Sequence, residues 1–431
     1  MDIGTLSLLI ALAIVVLMML GVPLAFVTGA IAVVVSLTMF GANGLTVVAS
    51  QVFSLVNEYL FVSVPMFLMM ASFLEKSGVA HDLYEAMNAI GRRVRGGVAL
   101  QTLVVSVILA TTTGVVGGEV ILLGVIALPQ MLRLGYDRKL AIGTICAGGA
   151  LGAMIPPSIV LIVFGITASV SIGDLFTAAF TPGLMLAGLY ALYIIIRVNL
   201  NPALAPLPPA DETGTASAAQ ELRKVIWPLL LIISVLGSIY AGIASITEAS
   251  GVGAAGAMLC AWARGSLSRQ VLHDVLKQTL TTSGMVLWLT FGAAALIGVY
   301  GLVGGTRFAS NMLSGLELAP MVMIAFMLGV IFLLGMVMDW IGICLLTMPI
   351  FVPVVKAMGF DLVWFGVLFC LVVQTAYLSP PFGPAAFFLK SVAPADITLQ
   401  EIFSAMWPFI GLQLVAIGLV LIVPGIALWP L

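Results

Sequence analysis

Long apolar runs recur along the whole chain and are separated by short polar segments. The runs that predict helices lie at roughly 3–20, 24–40, 60–75, 98–112, 115–132, 140–168, 176–196, 225–242, 248–263, 278–297, 321–337, 340–355, 362–389 and 402–428. A helix needs about 20 apolar residues to cross a bilayer. The first run has no basic segment before it and no small-residue cleavage site, so we expect a first span rather than a removable signal peptide. The pattern predicts an all-α polytopic protein embedded in a lipid bilayer.

The composition agrees with this pattern, because 62% of the residues are hydrophobic and 8% are charged. Soluble domains contain about 25% charged residues, so a water-soluble fold is excluded. The chain has no basic tract that would bind nucleic acid. All four cysteines lie inside apolar runs without metal-ligand spacing, and we interpret them as packing residues.

The two halves of the sequence carry the same landmarks in one register. These are a proline, a Gly-aromatic-Asp triplet and a proline pair, at Pro129, 135–137 and 156–157 in the first half and at Pro353, 359–361 and 380–381 in the second. The displacement is 224 positions throughout (353 − 129, for example). A polar, proline-rich linker at 199–224 separates the halves. We therefore predict an internal duplication, with repeats at 1–198 and 225–431.

Basic residues set the expected orientation of the chain. They cluster in four segments, at 76–97, 133–139, 197–224 and 264–277. Since basic loops stay in the cytoplasm, 98–132 must enter and leave the membrane on one face as a re-entrant hairpin. The duplication makes 321–356 a second hairpin that enters from the opposite face, which leaves only Arg307 and Lys356 of the 16 basic residues outside. Inverted repeats of about five spans and one hairpin each are typical of secondary transporters.

Each predicted hairpin tip faces a helix interruption that is rich in glycine or proline. Glycine lets the backbone approach a ligand closely, and proline leaves a carbonyl group without its helical donor. Such carbonyl groups and nearby hydroxyls suit a weakly bound monovalent cation, with sodium favoured, and helix N-termini suit an anion. The alternative is that glycine and proline only permit packing and kinks. The polar side chains at these positions are candidates for binding an anionic substrate: Thr111, Thr112, Ser158, Gln374 and Thr375.

Three acidic residues lie within or beside the apolar runs and are functional candidates for that reason. Asp339 at the second tip could bind a cation, relay a proton or cap the following helix. Glu119 follows the first tip, where a structural hydrogen bond and a gating role both remain open. Glu248 is expected in the first turn of a helix capped by Thr247. No arginine or lysine lies in mid-membrane, so an anion would be held by helix ends, hydroxyls and co-bound cations.

Three segments resemble the large membrane subunit of tripartite ATP-independent periplasmic (TRAP) transporters. They are LPQMLRLGYDRKLAIGTICAGGALGAMIPPSI at 128–159, LLGMVMDWIGICLLTMPIFVPVVKAMGFDLVWFGVLF at 333–369 and YLSPPFG at 377–383. The resemblance extends to Thr247-Glu248 and Trp407-Pro408. It implies a sodium-driven, elevator-type symporter of organic acids in the bacterial inner membrane. The implied partners are a small membrane subunit and a periplasmic solute-binding protein. The resemblance implies no cofactor, and sodium ions are the implied coupling ions.

The resemblance also implies where sodium binds, because family sites combine a hairpin tip with the segment around the paired prolines. The first half departs from the Ser-Gly-Ser tip of many members, since Val115 follows Thr113-Gly114 and removes one hydroxyl. The matching positions are Gly335, Val337, Ala376, Ser379 and Phe382 in the second half and, through the repeat, Thr113, Gly114, Gly152 and Ile155 in the first.

Other functional classes receive less support from the sequence. A stand-alone ion-coupled anion carrier of similar architecture is the main alternative. An intramembrane enzyme would need paired acids or a nucleophile with a base, and the chain has only isolated acids. No GxxxxGK[ST] motif for ATP hydrolysis is present. A passive channel would not need two inverted hairpins with broken helices.

Overall fold

The structure is a computed structural model that describes residues 2–91, 94–113, 117–207 and 218–431. These residues contain no β-strand, and six of their helical segments are long and apolar enough to cross a membrane. The α-helices are α1 (Ile3–Met19), α2 (Leu24–Phe40), α3 (Leu45–Val56), α4 (Ser63–Lys76), α5 (Val79–Gly91), α6 (Gly97–Thr113), α7 (Gly118–Arg133), α8 (Arg138–Ala150), α9 (Ile159–Ala168), α10 (Ile172–Leu200), α11 (Ala218–Tyr240), α12 (Ile246–Ala263), α13 (Arg269–Leu302), α14 (Gly305–Ser314), α15 (Pro320–Gly335), α16 (Trp340–Ala357), α17 (Leu362–Leu378), α18 (Pro384–Lys390), α19 (Leu399–Ile422) and α20 (Gly425–Leu428). The predicted all-α class is confirmed.

Two predicted apolar runs are each divided by an interruption. The run at 140–168 forms α8 and α9, which are separated by a 3₁₀ turn at Leu151–Ala153 and an irregular stretch at 154–158. The run at 362–389 forms α17 and α18, separated at 379–383. Both proline pairs lie in these interruptions, and both Pro-Pro peptide bonds are cis. The interruptions occur at corresponding places in the two halves.

Three helices were not predicted from the apolar runs. They are α3, α5 and α14, which are amphipathic rather than uniformly apolar. A search for long apolar runs misses such helices, because only one of their faces is apolar. Both α5 and α14 immediately precede a hairpin in their own half, so this pair extends the internal symmetry.

The packing of the helices repeats between the halves. The first hairpin (α6 and α7) packs on α8, as the second hairpin (α15 and α16) packs on α17. The pair α2 and α13 is mirrored by α12 and α4, and the pair α8 and α19 is mirrored by α17 and α10. These contacts follow one consistent assignment of each helix to its counterpart. The duplication read from the sequence is therefore also present in three dimensions.

The Gly-aromatic-Asp triplets form matching helix starts after the two hairpins. Gly135 and Gly359 both have φ of +77°, a backbone conformation that favours glycine. Asp137 then accepts a hydrogen bond from the backbone N–H of Leu140 at 2.9 Å, and Asp361 accepts one from Val363 at 2.7 Å. Each triplet thus ends a hairpin and caps the interrupted helix on which that hairpin packs.

Candidate functional site

The second hairpin packs its tip against α17, just before the interruption. A Cβ atom added to Gly335 would overlap the methyl group of Ala376. Beside this contact lies a cavity of about 10 Å³, whose lining includes Gly335, Asp339, Ala376 and Phe382. A volume of about 10–15 Å³ holds one water molecule, and one unhydrated monovalent cation needs similar space. The structure thus places three of the five second-half sodium candidates around one ion-sized cavity.

The remaining two second-half candidates lie beside this cavity rather than in its lining. Ser379 is buried, and its hydroxyl donates a hydrogen bond to the carbonyl oxygen of Thr375 at 2.9 Å. The backbone N–H of Ser379 donates to the carbonyl oxygen of Ala376 at 3.1 Å. The side chain of Val337 is 63% exposed. Any contribution of Val337 to a cation site would therefore come from its backbone carbonyl group.

Asp339 caps α16 and also contacts the cavity. Its carboxylate accepts a hydrogen bond from the backbone N–H of Ile341 at 3.1 Å, so it is the N-cap residue. The same side chain lines both the ion-sized cavity and a larger one. The capping role proposed from the sequence is therefore present, and it leaves the carboxylate beside both cavities.

The first half brings a different acid to its own interruption. Glu119, in the first turn of α7, is fully buried. A Cβ atom added to Gly152 would lie 2.5 Å from Oε1 of Glu119. The counterpart of Glu119 in the repeat is Ile343 (343 − 119 = 224), which lines the ion-sized cavity of the second half. Glu119 thus occupies the position equivalent to a cavity wall, beside a predicted sodium ligand.

The other first-half candidates lie around the same interruption or outside the described part. Ile155 is buried in the irregular stretch after the 3₁₀ turn. Gly114 lies outside the described residues, as do the side chains of Thr112 and Thr113.

Most of the described candidate substrate side chains make local hydrogen bonds to the backbone. The hydroxyls of Thr111, Ser158 and Thr375 donate to the carbonyl oxygens of Ile108, Ala153 and Leu371. Gln374 is fully buried, and its backbone carbonyl accepts a hydrogen bond from the side chain of Gln413 at 3.5 Å. The lining of the larger cavity includes none of these four side chains.

A cavity of about 510 Å³ lies between the two hairpin tips, α4 and α13. Its wall includes Gly117 and Gly118 beside the first tip, Asp339 from the second tip, and Glu75 and Lys76 from α4. Ligand pockets have volumes of about 300–1,000 Å³. This cavity therefore has room for a small organic molecule next to the predicted ion site.

Lys76 is a basic residue near the larger cavity that the sequence did not single out. The sequence assigned Lys76 to a loop, but it is the last residue of α4 and its side chain lines the larger cavity. Its ammonium nitrogen lies 4.0 Å from Oε1 of Glu75. The sequence gives little indication that Lys76 lines a cavity, because this residue lies just after an apolar run.

Glu248 forms a capping box, with a different partner from the one predicted. The N-cap residue of α12 is Ser245, whereas Thr247 already lies inside the helix. The backbone N–H of Ser245 donates to Oε2 of Glu248 at 2.8 Å, and the backbone N–H of Glu248 donates to the Ser245 hydroxyl at 3.3 Å. These reciprocal bonds satisfy donors at the start of the helix, which is a structural role.

Two hairpins that end beside interrupted helices, with an ion-sized and a metabolite-sized cavity at their tips, define a secondary transporter built from repeats. Its family is identified by a match over residues 11–426 to the model described as "Tripartite ATP-independent periplasmic transporter, DctM component". The chain belongs to this family. It is therefore a multi-pass membrane permease subunit and not an enzyme, as expected from the sequence.

Relatives of known name agree with this assignment over nearly the whole chain. The chain is 27% identical over 396 residues to the C4-dicarboxylate TRAP transporter large permease protein of Pseudomonas aeruginosa, which covers 91% of each protein. It is 28% identical over 426 residues to the ectoine/5-hydroxyectoine TRAP transporter large permease protein of Ruegeria pomeroyi, which covers 97% of each. Among solved structures, the fold resembles the Alcanivorax borkumensis YdaH transporter, with a TM-score of 0.62, 12% identity, and coverage of 92% of this chain and 96% of that chain.

Proposed function

We propose that this permease imports a small organic acid across the bacterial inner membrane and couples this import to sodium. The ion-sized cavity between Gly335, Asp339, Ala376 and Phe382 is the observation that carries the proposal. Its lining includes the Asp339 carboxylate, and oxygen atoms are the ligands that a hard cation prefers. It also adjoins the larger cavity through Asp339. A cation there would lower the negative charge that an anionic substrate meets.

The proposed sodium ligands of the first half lie around Gly152 and Ile155, with Thr113 and Gly114 at the hairpin tip. Buried Glu119 is the acidic residue of this region. By the repeat, this would be a second cation site.

We propose that the larger cavity opens toward the cytoplasm. Lys76 lines it and is the first residue of the basic segment 76–97, which the positive-inside rule places on that side. In this arrangement the hairpins and the interrupted helices move together past α4 and α13, as in an elevator. The two inverted repeats would have the boundaries 1–198 and 225–431, so that each repeat contributes one hairpin and one interrupted helix to the moving part.

The proposed partners follow from the tripartite family. A periplasmic solute-binding protein would deliver the organic anion, and a small membrane subunit would complete the permease. The relatives are named for C4-dicarboxylates in one case and for ectoines in another, so membership of the family does not fix the substrate.

The test is uptake into vesicles that contain this chain with its small subunit and binding protein. We expect uptake driven by an inward sodium gradient and abolished when potassium replaces sodium. Uptake that is equal in sodium and potassium would contradict the coupling. Omitting the binding protein should abolish uptake, whereas a stand-alone carrier would keep its rate.

A further inference from the structure

The larger cavity has an uneven set of charges at its wall. Among the residues that line it within the described chain, Lys76 is the one basic group, and Glu75 and Asp339 are the acidic groups. Any anion that enters meets this set. The cavity can therefore discriminate between substrates by the number of their negative charges.

The Lys76 side chain is linked to α13 through Glu75, its neighbour on α4. Its ammonium nitrogen lies 4.0 Å from Glu75 Oε1, and Glu75 Oε2 accepts a hydrogen bond from the Gln278 side chain of α13 at 3.4 Å. The Lys76 side chain remains 40% exposed, so its charge is available at the cavity wall. Glu75 is thus an internal carboxylate that already interacts with the lysine.

The first hairpin approaches the same carboxylate. A Cβ atom added to Gly118, at the start of α7, would lie 3.8 Å from Glu75 Oε2. Glu75 therefore lies between the lysine and the tip of the first hairpin. A substrate carboxylate that binds Lys76 would take up space in this region and share the lysine with Glu75.

We infer that the cavity selects small solutes with a single anionic group, which binds Lys76 in competition with Glu75. This inference rests on the proposed function and names its substrate class. Glu75 and Lys76 balance one another, and a cation in the adjoining cavity balances Asp339. One added carboxylate can then share Lys76. A second one would face Glu75 and Asp339 with no further basic group among the lining residues, and like charges at short range repel.

The experiment measures binding to the purified full chain by the shift of its thermal unfolding, followed by tryptophan fluorescence. The probes are pyruvate, with one carboxylate, and succinate, with two, at constant ionic strength in sodium chloride. We expect pyruvate to bind at least about tenfold more tightly than succinate. Lys76→Gln should weaken pyruvate binding by about tenfold, and Lys76→Arg should restore most of it. Glu75→Gln should reduce the ratio of pyruvate affinity to succinate affinity.

Lys277→Gln is the matched control, because Lys277 is an exposed residue next to Gln278 on α13 and is absent from the cavity lining. It removes the same charge and should leave binding unchanged. Equal effects of Lys76→Gln and Lys277→Gln would overturn the inference. So would succinate binding as tightly as pyruvate to the unsubstituted chain, or no binding of either. The sodium proposal fails separately, if pyruvate binding is the same in potassium chloride.

Discussion

The buried carboxylate of Glu119 lies against Gly152, so close that a Cβ atom at residue 152 would lie 2.5 Å from Oε1. This contact joins the first hairpin to the 3₁₀ turn at Leu151–Ala153. In the second half, the residue equivalent to Gly152 is Ala376, and its methyl group packs against Gly335 of the second hairpin. Each half therefore has a close contact at a glycine between a hairpin and its interrupted helix, but the glycine lies in the interruption in the first half and in the hairpin in the second.

Gly152→Ala should destabilise the protein, because the new methyl group overlaps Glu119. Overpacking of this kind costs about 1–3 kcal/mol. Thermal unfolding of the purified chain measures the effect. In a Glu119→Ala background the added methyl group has space, so we expect Gly152→Ala to lower the unfolding temperature by less. An equal decrease in unfolding temperature in both backgrounds would show that the contact between residues 119 and 152 does not cause the destabilisation.

Substitutions of Asp339 separate its two roles. Asparagine caps helices about as well as aspartate, whereas alanine loses about 0.5–2 kcal/mol. We expect Asp339→Asn to keep the unfolding temperature and to raise the sodium concentration for half-maximal uptake. Asp339→Ala should change both quantities. Normal sodium dependence in Asp339→Asn would restrict this residue to the cap at the start of α16.

Ser379→Ala should raise the half-saturating sodium concentration by about threefold to tenfold, the cost of one lost polar ligand. Thr113→Ala should act in the same direction in the first half. Val337→Ala is the control, because any ligand at that position would be its backbone carbonyl and the exposed side chain contributes little. Sodium titration of vesicle uptake measures all three. An unchanged half-saturating sodium concentration for Ser379→Ala would show that the Ser379 hydroxyl does not bind sodium.

Two glycines of α13 should respond oppositely to alanine. Gly292 lies against the backbone of α2, where an added Cβ atom would overlap the carbonyl oxygen of Ala25. A Cβ atom at Gly284 would meet nothing within 4 Å. Since alanine favours a helix by up to about 1 kcal/mol over glycine, Gly284→Ala should raise the unfolding temperature and Gly292→Ala should lower it. The same sign for both would contradict this close helix crossing.

The loop after α18 carries an ion pair whose contribution depends on pH. The Arg138 guanidinium donates a hydrogen bond to Asp396 at 2.6 Å and lowers the pKa of that carboxyl. The pair therefore stabilises the fold above the ordinary carboxyl pKa of about 4. This stabilisation is lost as the pH falls through the lowered value.

Asp396→Asn should accordingly lower the unfolding temperature slightly at neutral pH, and the difference from the unsubstituted chain should vanish at strongly acidic pH. Arg138→Gln should have the same effect, and the double substitution should be no worse than either one. A difference that persists below the lowered pKa would assign the effect to another interaction.

Most of the architecture could be predicted from the pattern of the sequence. Helices α1, α2 and α4 and both hairpins follow from apolar runs, because lipid requires every backbone polar group to be satisfied within a helix. The duplication follows from repeated landmarks such as Gly135 and Gly359. Amphipathic α3, α5 and α14 were missed. Only one face of each is apolar, so none of them forms a long apolar run in the sequence.

The candidate site was only partly accessible from the sequence. The second-half positions Gly335, Ala376 and Phe382 meet around one cavity, and their motifs had indicated this region. The cap at Ser245 was missed because Thr247 offers the same chemistry two residues later. Lys76 was missed because its position relative to the hairpin tips depends on how α4 packs.

The sequence by itself determined an all-α membrane protein made of two related halves, because long apolar segments and a fixed 224-residue displacement leave few other solutions. Only the tertiary structure decided which charges meet. Asp339 and Glu119 occupy positions that are not equivalent in the repeat, yet each reaches the interruption of its own half. Lys76 and Glu75 line the larger cavity together with Asp339, and they come from α4. The proximity of these charged side chains depends on how distant helices pack, and a sequence pattern does not show that packing.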